Sequence, residues 1–243
     1  MKKKILIVIP ARFHSTRFKG KPLCKILGKE MILRVAEACS KVIRKSNVII
    51  ATDNKKIFNL VNNNNFKCVM TCKNNTTGTD RVAEVAKKLK ASIYINVQGD
   101  EPLVKPVDIK SIINEKIKYP NKIICGYSRI LNIHEFNNLN IPKVVFDQNN
   151  ELIYISRAPI PSSKKIINIH HRFKQVCIYA FNKKELMKFK EEGKKSMLEK
   201  IEDIEILRFL DLGFKIKMKI IRSNTHAVDV KKDITIVENF LRK

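Results

Sequence analysis

Short apolar runs alternate with segments of helical periodicity through the first half of this 243-residue chain, and this alternation restricts the possible folds more than any other feature. The apolar runs are Lys4–Pro10, Asn47–Asp53, Phe66–Thr71 and Ser92–Gln98. The helical segments are Met31–Arg44, Lys55–Asn62, Thr79–Leu89 and Val107–Ile117. Runs without polar alternation are typical of strands buried on both faces. The order therefore predicts an α/β fold with a doubly wound, mostly parallel sheet and right-handed crossovers.

The pattern changes after about residue 120. Shorter strands are predicted at Ile123–Ile130, Lys143–Phe146, Glu151–Ser156 and Gln175–Phe181. They are followed by helices at Lys183–Phe189 and Met197–Leu212, a strand at Lys215–Ile221 and a helix at Ile234–Leu241. We predict one domain over residues 1–243, with a core of 1–120 and 182–243. A smaller mixed or antiparallel lobe is inserted at about 121–181.

The sequence contains 49 Lys and Arg against 23 Asp and Glu, which gives a formal net charge of +26. A charge of this size is compatible with a nucleic-acid, anionic-membrane or polyphosphate partner. Lysines are scattered over every segment, whereas nucleic-acid proteins often cluster arginines for bidentate contacts. Biased composition therefore accounts for most of the charge, and we expect no nucleic-acid partner. A basic nucleic-acid-binding protein stays a distant alternative.

Two features indicate where the chain works. No apolar run approaches the roughly 20 residues that span a membrane, and the five apolar residues Ile5–Ile9 after the first lysines are fewer than a signal peptide requires. The six cysteines contain no CxxC pair, which favours free thiols over a disulfide framework or a zinc site. We therefore expect a cytoplasmic protein that does not enter a membrane.

The seven glycines show neither GxGxxG nor GxxxxGK[ST] spacing. Any bound nucleotide would then depend on cationic side chains and a metal for its phosphates. The loop after the first predicted strand, residues 10–23, supplies such groups with Arg12, Arg17, Lys19 and Lys21. Guanidinium and ammonium groups bind phosphate oxygens. The alternative is a solvated basic loop.

Acidic residues follow two other apolar segments. Asp100 comes directly after the fourth predicted strand, and Asp229 lies between two valines. Ligands bind at the carboxyl ends of strands in open parallel sheets, and Mg²⁺ is usually held by one or two carboxylates plus substrate phosphates. The alternative for both aspartates is helix capping. The segment 77–81 (TGTDR) either contacts a base or phosphate at a helix N-terminus or simply caps that helix.

Eight segments resemble the CTP-dependent synthetases of activated acidic sugars, and most closely the 3-deoxy-manno-octulosonate cytidylyltransferase (CMP-Kdo synthetase) family. In order, they are IPARFHSTRFKGKPL (9–23), ATD (51–53), TGTDRVAEV (77–85), NVQGDEP (96–102), KVVFD (143–147), YISRAPIP (154–161), LEKIEDIEILR (198–208) and VDV (228–230). The resemblance implies a fold of the nucleotide-diphospho-sugar transferase type. It also implies transfer of CMP from CTP to Kdo, with release of pyrophosphate, for lipopolysaccharide synthesis.

The resemblance also implies roles for individual residues. Arg12, Lys21 and Asp100 are implied to be catalytic, and Asp100 and Asp229 to ligate Mg²⁺ as cofactor. The implied nucleotide-binding residues are Ala11, Arg12, Ser15, Thr16, Arg17, Lys21, Ala51, Thr52, Thr77, Gly78, Thr79 and Arg81. The implied sugar-binding residues are Gln98, Arg157, Gln175, Tyr179, Glu199 and Glu202. Glu199, Glu202 and Glu205 recur at i+3 in the predicted helix, so they share one face, and the alternative for them is a solvated stripe.

This chain departs from the family pattern at three places, which leave the phosphate and metal segments intact and alter the sugar side. Gln175 and Cys177 stand where the Kdo enzymes usually have His and Gly, Lys19 replaces a proline, and VDVKKD replaces VDTPED. The expected partners are CTP and a 3-deoxy-ulosonic acid, with 8-amino-Kdo or another ulosonic acid as the alternative to Kdo. The resemblance further implies a homodimer, with the lobe at 121–181 as its interface.

Overall fold

The computed structural model describes residues 3–14, 17–164, 169–222 and 226–242. Its strands are β1 (Ile5–Ala11), β2 (Lys25–Ile26), β3 (Lys29–Glu30), β4 (Val48–Thr52), β5 (Lys67–Met70), β6 (Ile93–Val97), β7 (Ile123–Arg129), β8 (Lys143–Phe146), β9 (Leu152–Ser156), β10 (Phe173–Phe181) and β11 (Ile216–Ile220). Its α-helices are α1 (Met31–Ser40), α2 (Lys55–Asn63), α3 (Gly78–Lys88), α4 (Pro106–Lys118), α5 (Ile133–Asn137), α6 (Lys183–Glu191), α7 (Met197–Glu202), α8 (Ile206–Asp211) and α9 (Lys232–Arg242).

The central sheet runs in the order β11-β7-β10-β6-β1-β4-β5. The pairs β6–β1, β1–β4 and β4–β5 are parallel, as is β7–β11. β10 is antiparallel to both of its neighbours, β6 and β7. The predicted α/β class with a mostly parallel sheet is therefore confirmed.

Burial explains why the apolar runs form strands. Every residue of β4 and β6 is buried, as a strand covered on both faces requires. One face packs against α3, α6 and α8, through side chains such as Val82, Phe189 and Phe209. The other face packs against α1, α2 and α4, through side chains such as Val35 and Ile112. The two layers hold the ends of β1 and β6 in fixed positions.

The segment predicted as an inserted lobe begins and ends in the central sheet, because β7 and β10 are two of its strands. Only β8 and β9 lie off the main path, as an antiparallel pair attached to β10. The ladder between β10 and β7 shifts register between Val176 and Tyr179. The division of the chain into core and lobe stays a prediction.

The prediction of a single helix over residues 197–212 is wrong. Met197–Leu212 forms two short helices, α7 and α8, separated at Asp203 with φ 50° and ψ 47°. Asp tolerates this left-handed conformation better than most residues. Arg157 stabilises the break, because its Nε and Nη2 donate to the carbonyl oxygens of Glu202 (2.6 Å) and Asp203 (3.1 Å).

The helices of the described residues are all too short or too polar to cross a lipid bilayer. The six cysteines all fall within the described ranges, and each is a free thiol.

Candidate active site

A cavity of about 980 Å³ opens at the carboxyl ends of β1 and β6. Its walls include the four segments that the sequence pointed to: the loop after β1, the first turn of α3, residues 98–101 after β6, and residues 226–233 before and within α9. This is the edge at which open parallel sheets bind ligands, and the volume is ordinary for a small-molecule site.

A compact charged cluster stands on one side of the cavity. Lys21 Nζ lies 2.6 Å from Asp100 Oδ2 and 3.7 Å from Asp229 Oδ1. Arg17 Nη2 lies 3.1 Å from the same Asp229 oxygen. The sequence separates these residues by up to 212 positions, yet the fold brings the predicted phosphate-binding cations and metal-binding carboxylates together.

Two glycines make this approach possible. Gly20, with φ 73°, precedes the 3₁₀ turn Lys21–Leu23 and adopts a left-handed conformation that favours glycine. A Cβ on Gly99 would lie 2.8 Å from the carbonyl oxygen of Pro10. Asp100 therefore sits directly against the end of β1, where the cationic loop begins.

Arg12 lines the cavity and differs there from Arg17 and Lys21. Its guanidinium makes no hydrogen bond or ion pair with any described residue, although its charge helps to lower the pKa of Asp203 after the larger effect of Lys195. An arginine in this state is available to an anionic ligand. Ala11 also lines the cavity, whereas Ser15 and Thr16 lie outside the described residues.

The donor set of the cluster suits Mg²⁺. Asp100 and Asp229 already hold one cation between them, the ammonium of Lys21. No group of three His, Cys, Asp or Glu side chains within the described ranges has metal-binding geometry. Two carboxylates are sufficient for Mg²⁺ when substrate phosphates and water complete its coordination. The residues therefore fit the predicted ion, with the nucleotide supplying the other ligands.

Glu101 is a cavity residue to which the sequence assigned no role of its own. Its side chain is buried, and Oε2 has no hydrogen-bond partner among the described residues. The pKa of Glu101 is raised to about 8, chiefly by desolvation and also by the nearby charges of Asp100 and Asp229. Lys21 and Lys174 act in the opposite direction.

The first turn of α3 forms a second wall. Thr77 is its N-cap in a capping box with Asp80, and the contact of this segment with a base or phosphate stays a prediction. Thr77, Gly78 and Arg81 line the cavity. Arg81 is fixed from behind, because its Nη2 donates to Asp53 Oδ2 at 2.8 Å.

Other predicted nucleotide residues lie behind this wall. Thr79 is buried, and Ala51 and Thr52 are buried within β4. None of the three is among the described cavity-lining residues. Asp53 has no role predicted from the sequence. It both orients Arg81 and accepts a hydrogen bond from the Phe13 N–H at 3.4 Å.

Glu205 joins the wall of α3 to the end of β6. Its Oε2 accepts from the Thr79 N–H at 2.9 Å, and its Oε1 accepts from Gln98 Nε2 at 3.0 Å. Burial raises the pKa of Glu205, while the hydrogen bonds from Thr79 lower it. The carboxylate thus occupies the helix N-terminus where an external phosphate could otherwise bind.

Glu199 belongs to a buried ion network. Arg208 Nε and Nη2 donate to its two carboxylate oxygens at 2.6 and 2.8 Å, and Arg208 Nη1 lies 3.4 Å from Asp80 Oδ1. The helix breaks at Asp203, between Glu202 and Glu205, so the prediction of one helical face for all three glutamates is wrong. The solvated stripe is also wrong, because Glu199 is buried against Arg208 and Glu205 accepts from Thr79 and Gln98.

The remaining predicted sugar residues divide in the same way. Gln98, Arg157, Gln175, Tyr179 and Glu199 line the cavity. Glu202 is not among the described lining residues; it accepts from Ser156 Oγ at 2.5 Å and from the Arg157 N–H at 2.8 Å. Its role toward a sugar stays a prediction.

Gln175 and Cys177, the two departures from the family pattern on the sugar side, lie together on β10. Gln175 Nε2 donates to the Tyr179 hydroxyl at 3.0 Å. Cys177 lines the cavity between them, and burial raises its thiol pKa well above the ordinary value. The thiol is therefore neutral, and this face offers amide, hydroxyl and thiol groups to a ligand.

The chain matches the family model described as cytidylyltransferase over residues 6–220. It is 38% identical to the 3-deoxy-manno-octulosonate cytidylyltransferase of Fusobacterium nucleatum, over 99% of this chain and 98% of the relative. It is 36% identical to the enzyme of the same name from Geotalea daltonii, over 95% of each.

Solved structures agree with these relatives. A CMP:2-keto-3-deoxy-manno-octonic acid synthetase complexed with CTP superposes with a TM-score of 0.90 at 33% identity, over 98% of both chains. A 4-diphosphocytidyl-2C-methyl-D-erythritol synthase from Anaerococcus prevotii superposes with a TM-score of 0.67 at 15% identity, over 99% of both chains, and shares the fold alone.

Proposed function

Because the chain belongs to the 3-deoxy-manno-octulosonate cytidylyltransferase family, we propose that it transfers CMP from CTP to the anomeric hydroxyl of Kdo. The anomeric oxygen attacks the α-phosphorus, the bond from that phosphorus to pyrophosphate breaks, and the hydroxyl proton is lost to solvent. The observation that carries the proposal is the cluster of Lys21, Asp100 and Asp229 at the carboxyl end of the sheet, beside Arg12.

Positioning and charge neutralisation are the main tasks in such a transfer. Arg12 would bind the triphosphate, since its guanidinium makes no hydrogen bond or ion pair with a described residue. Lys21 and Arg17 face the same space from the loop after β1, where they are placed to offset charge that develops on the leaving pyrophosphate.

Asp100 and Asp229 would hold Mg²⁺ as the cofactor. When bound, that ion polarises the α-phosphate and lowers the pKa of the attacking hydroxyl. Asp100 lies three residues after the buried strand β6, and the Val228 N–H donates to its carbonyl oxygen at 2.9 Å. This hydrogen bond joins the two acidic segments.

Two sides of the cavity suit the two substrates. Thr77, Gly78 and Arg81 would bound the cytidine, and Gln98, Gln175 and Tyr179 would face the sugar. The thiol of Cys177 and the amide of Gln175 make the sugar side uncharged at that point. The side chains there can hydrogen-bond several hydroxylated sugars, so ulosonic acids other than Kdo must also be tested as substrates.

A substrate panel tests the function through pyrophosphate release. Kdo, 8-amino-Kdo and a nine-carbon ulosonic acid are each supplied with CTP and Mg²⁺, with EDTA and ATP as controls. We expect release with CTP and Kdo, and none with EDTA. Faster turnover with 8-amino-Kdo would reassign the sugar, and no turnover with any ulosonic acid would overturn the function.

We also propose that the chain acts as a homodimer in the cytoplasm and supplies CMP-Kdo for lipopolysaccharide synthesis. Four large apolar side chains of the 121–181 segment are exposed: Leu131, Ile133, Leu139 and Ile153. Exposed large apolar side chains are candidates for contact with a partner. Ile153→Asp is expected to give a monomer in sedimentation velocity, whereas Val107→Asp, at a similarly exposed site on α4 (65% against 59%), is not. An unchanged dimer in both variants would exclude β9 from the interface.

A further inference from the structure

Asp229 has no strand to hold it. Asp100 follows β6 in the centre of the sheet, but Asp229 belongs to residues 226–231, which precede α9 and form neither helix nor strand. A carboxylate that shares a cation with Asp100 must nevertheless be fixed in direction, because Mg²⁺ demands near-ideal ligand geometry. The contacts of this segment show what fixes it.

Asp233, at the second position of α9, holds the turn that contains Asp229. Its Oδ2 accepts from the N–H groups of Asp229 at 2.7 Å and Val230 at 2.9 Å. Its own N–H donates to the Val230 carbonyl oxygen at 3.1 Å, which closes the turn. The Asp233 side chain is only 13% exposed, and Oδ1 lies 3.8 Å from His226 Nε2. One carboxylate oxygen therefore satisfies two successive backbone donors.

The helix that carries Asp233 is anchored independently of the turn. Ile234 and Val237 of α9 pack in a small core with Ile26, Met31 and Val228. At the next turn of the helix, Glu238 Oε1 accepts from the Leu27 N–H at 2.9 Å. Residues 26 and 27 belong to the β2–β3 hairpin, which follows the 3₁₀ turn of Lys21. The same helix thus connects the Asp229 turn to the segment that carries Lys21.

We propose that Asp233 is a positioning residue, which directs the Asp229 carboxylate toward the cation shared with Asp100. This inference rests on the proposed function, because it takes Asp229 as a ligand of Mg²⁺. Asp233 acts through the two backbone N–H groups that its Oδ2 accepts from.

Three substitutions separate position from charge. Asp233→Ala removes the acceptor. Asp233→Asn keeps an oxygen that can accept from both N–H groups but removes the charge. Asp233→Glu keeps the charge and moves the oxygen by one methylene, which provides a test if the alanine variant does not fold. Asn239→Ala, at an exposed position of the same helix, is the matched control. Asp229→Asn supplies the reference for a lost ligand.

The readout is CTP binding without sugar, so that no turnover occurs. Isothermal titration gives the dissociation constant for CTP once in EDTA and once with Mn²⁺. The constant in EDTA divided by the constant with Mn²⁺ measures what the metal contributes to binding. We expect Asp233→Ala and Asp233→Glu to lower this ratio about tenfold, toward the Asp229→Asn value, consistent with the loss of a charge-assisted contact. Asp233→Asn and Asn239→Ala should stay within about threefold of wild type. In turnover assays the KM for Mg²⁺ should rise in Asp233→Ala while the KM for Kdo stays unchanged.

Each result is decisive. A wild-type ratio kept by Asp233→Glu and by folded Asp233→Ala would overturn the positioning role. An equal loss in Asp233→Asn and Asp233→Ala would also overturn it, because the charge rather than the acceptor would then matter. If wild-type protein binds CTP without any gain from Mn²⁺, the metal assignment of the proposed function fails, and the positioning role fails with it.

Discussion

Replacing Lys21 by methionine should strengthen divalent-cation binding to the nucleotide-free protein while removing most of the turnover. In the structure the Lys21 ammonium pairs with both carboxylates that would hold Mg²⁺, at 2.6 and 3.7 Å. The ion and the ammonium therefore compete for the same oxygens. Methionine keeps the volume of the side chain and removes the competing charge.

The structure sets the size of the effect. A hydrogen bond between charged groups contributes about 1.5–3 kcal/mol. Lys21 is 12% exposed, but Asp100 is 30% exposed and screened by solvent, so the lower end of that range applies. About 1.4 kcal/mol corresponds to a tenfold change in affinity. The longer contact to Asp229, whose side chain is 36% exposed, adds less. We therefore expect Mn²⁺ to bind Lys21→Met about tenfold more tightly than wild type.

Titration of nucleotide-free protein with Mn²⁺, followed by the electron paramagnetic resonance signal of the free ion, measures this directly. Lys29→Met is the matched control, because Lys29 pairs with Glu37 at 2.8 Å on the exposed surface. Turnover should fall about 10²–10³-fold in Lys21→Met, as for loss of one group that stabilises a transition-state charge. Equal or weaker Mn²⁺ binding in Lys21→Met would refute the competition and show instead that Lys21 holds Asp100 in place.

Three other substitutions test the rest of the site. Asp100→Asn should retain the thermal transition and lose at least about 100-fold in the rate of pyrophosphate release, since it removes a metal-binding carboxylate. A fully active variant would exclude Asp100 from the metal site. Arg208→Met leaves Glu199 buried without its partner and should lower the free energy of unfolding by about 3–5 kcal/mol, or the Tm by roughly 6–20 °C. The control Lys188→Met breaks only an exposed pair and should change the Tm little. Because the pKa of Glu101 is raised to about 8 in the fold, the folded protein retains a proton that the unfolded chain releases near pH 4.5, so this group destabilises the fold as pH rises from about 5 to 8. In urea denaturation with EDTA, the stability of wild type relative to Glu101→Gln should therefore fall across that range, and a constant or rising difference would contradict the assignment.

The strands that build the site were predictable because strands buried on both faces appear in the sequence as apolar runs without polar alternation. The runs predicted at Asn47–Asp53 and Ser92–Gln98 contain β4 and β6 with one residue to spare at each end. The position of Asp100 follows, because a residue after a central strand must lie at the carboxyl edge of the sheet. The cationic loop after β1 was placed by the same argument.

The partners of the glutamates were not predictable from spacing. Nothing in the segment 197–212 interrupts a helical pattern, and the break at Asp203 depends on donors from Arg157, which lies 46 residues away. Glu205 meets Thr79 across 126 positions, and Arg208 meets Asp80 across 128. A periodicity describes which face of a helix is apolar, but not which distant polar group the fold will bring against it.

The excess of positive charge that gives the chain its net charge of +26 does not lie in the site. Among the described residues, eight Lys or Arg and eight Asp or Glu side chains line the cavity: Arg12, Arg17, Lys21, Arg81, Arg157, Lys174, Lys195 and Lys232 against Asp100, Glu101, Glu135, Glu199, Asp203, Glu205, Asp229 and Asp233. Most of these cations already contact a carboxylate or carbonyl of the chain, as Lys174 does with Glu135 and Lys195 with Asp203.

Charges more than about 8 Å away are largely screened at physiological salt, so the lysines outside the cavity contribute little to the affinity for CTP. An anionic substrate must instead bind Arg12 and displace internal partners from cations such as Lys21 and Arg17. A divalent ion that draws Asp100 and Asp229 away from Lys21 and Arg17 would free both cations for phosphate oxygens. Metal and triphosphate should therefore assist each other's binding, and this cooperation arises from the balance of local pairs rather than from the total charge of the chain.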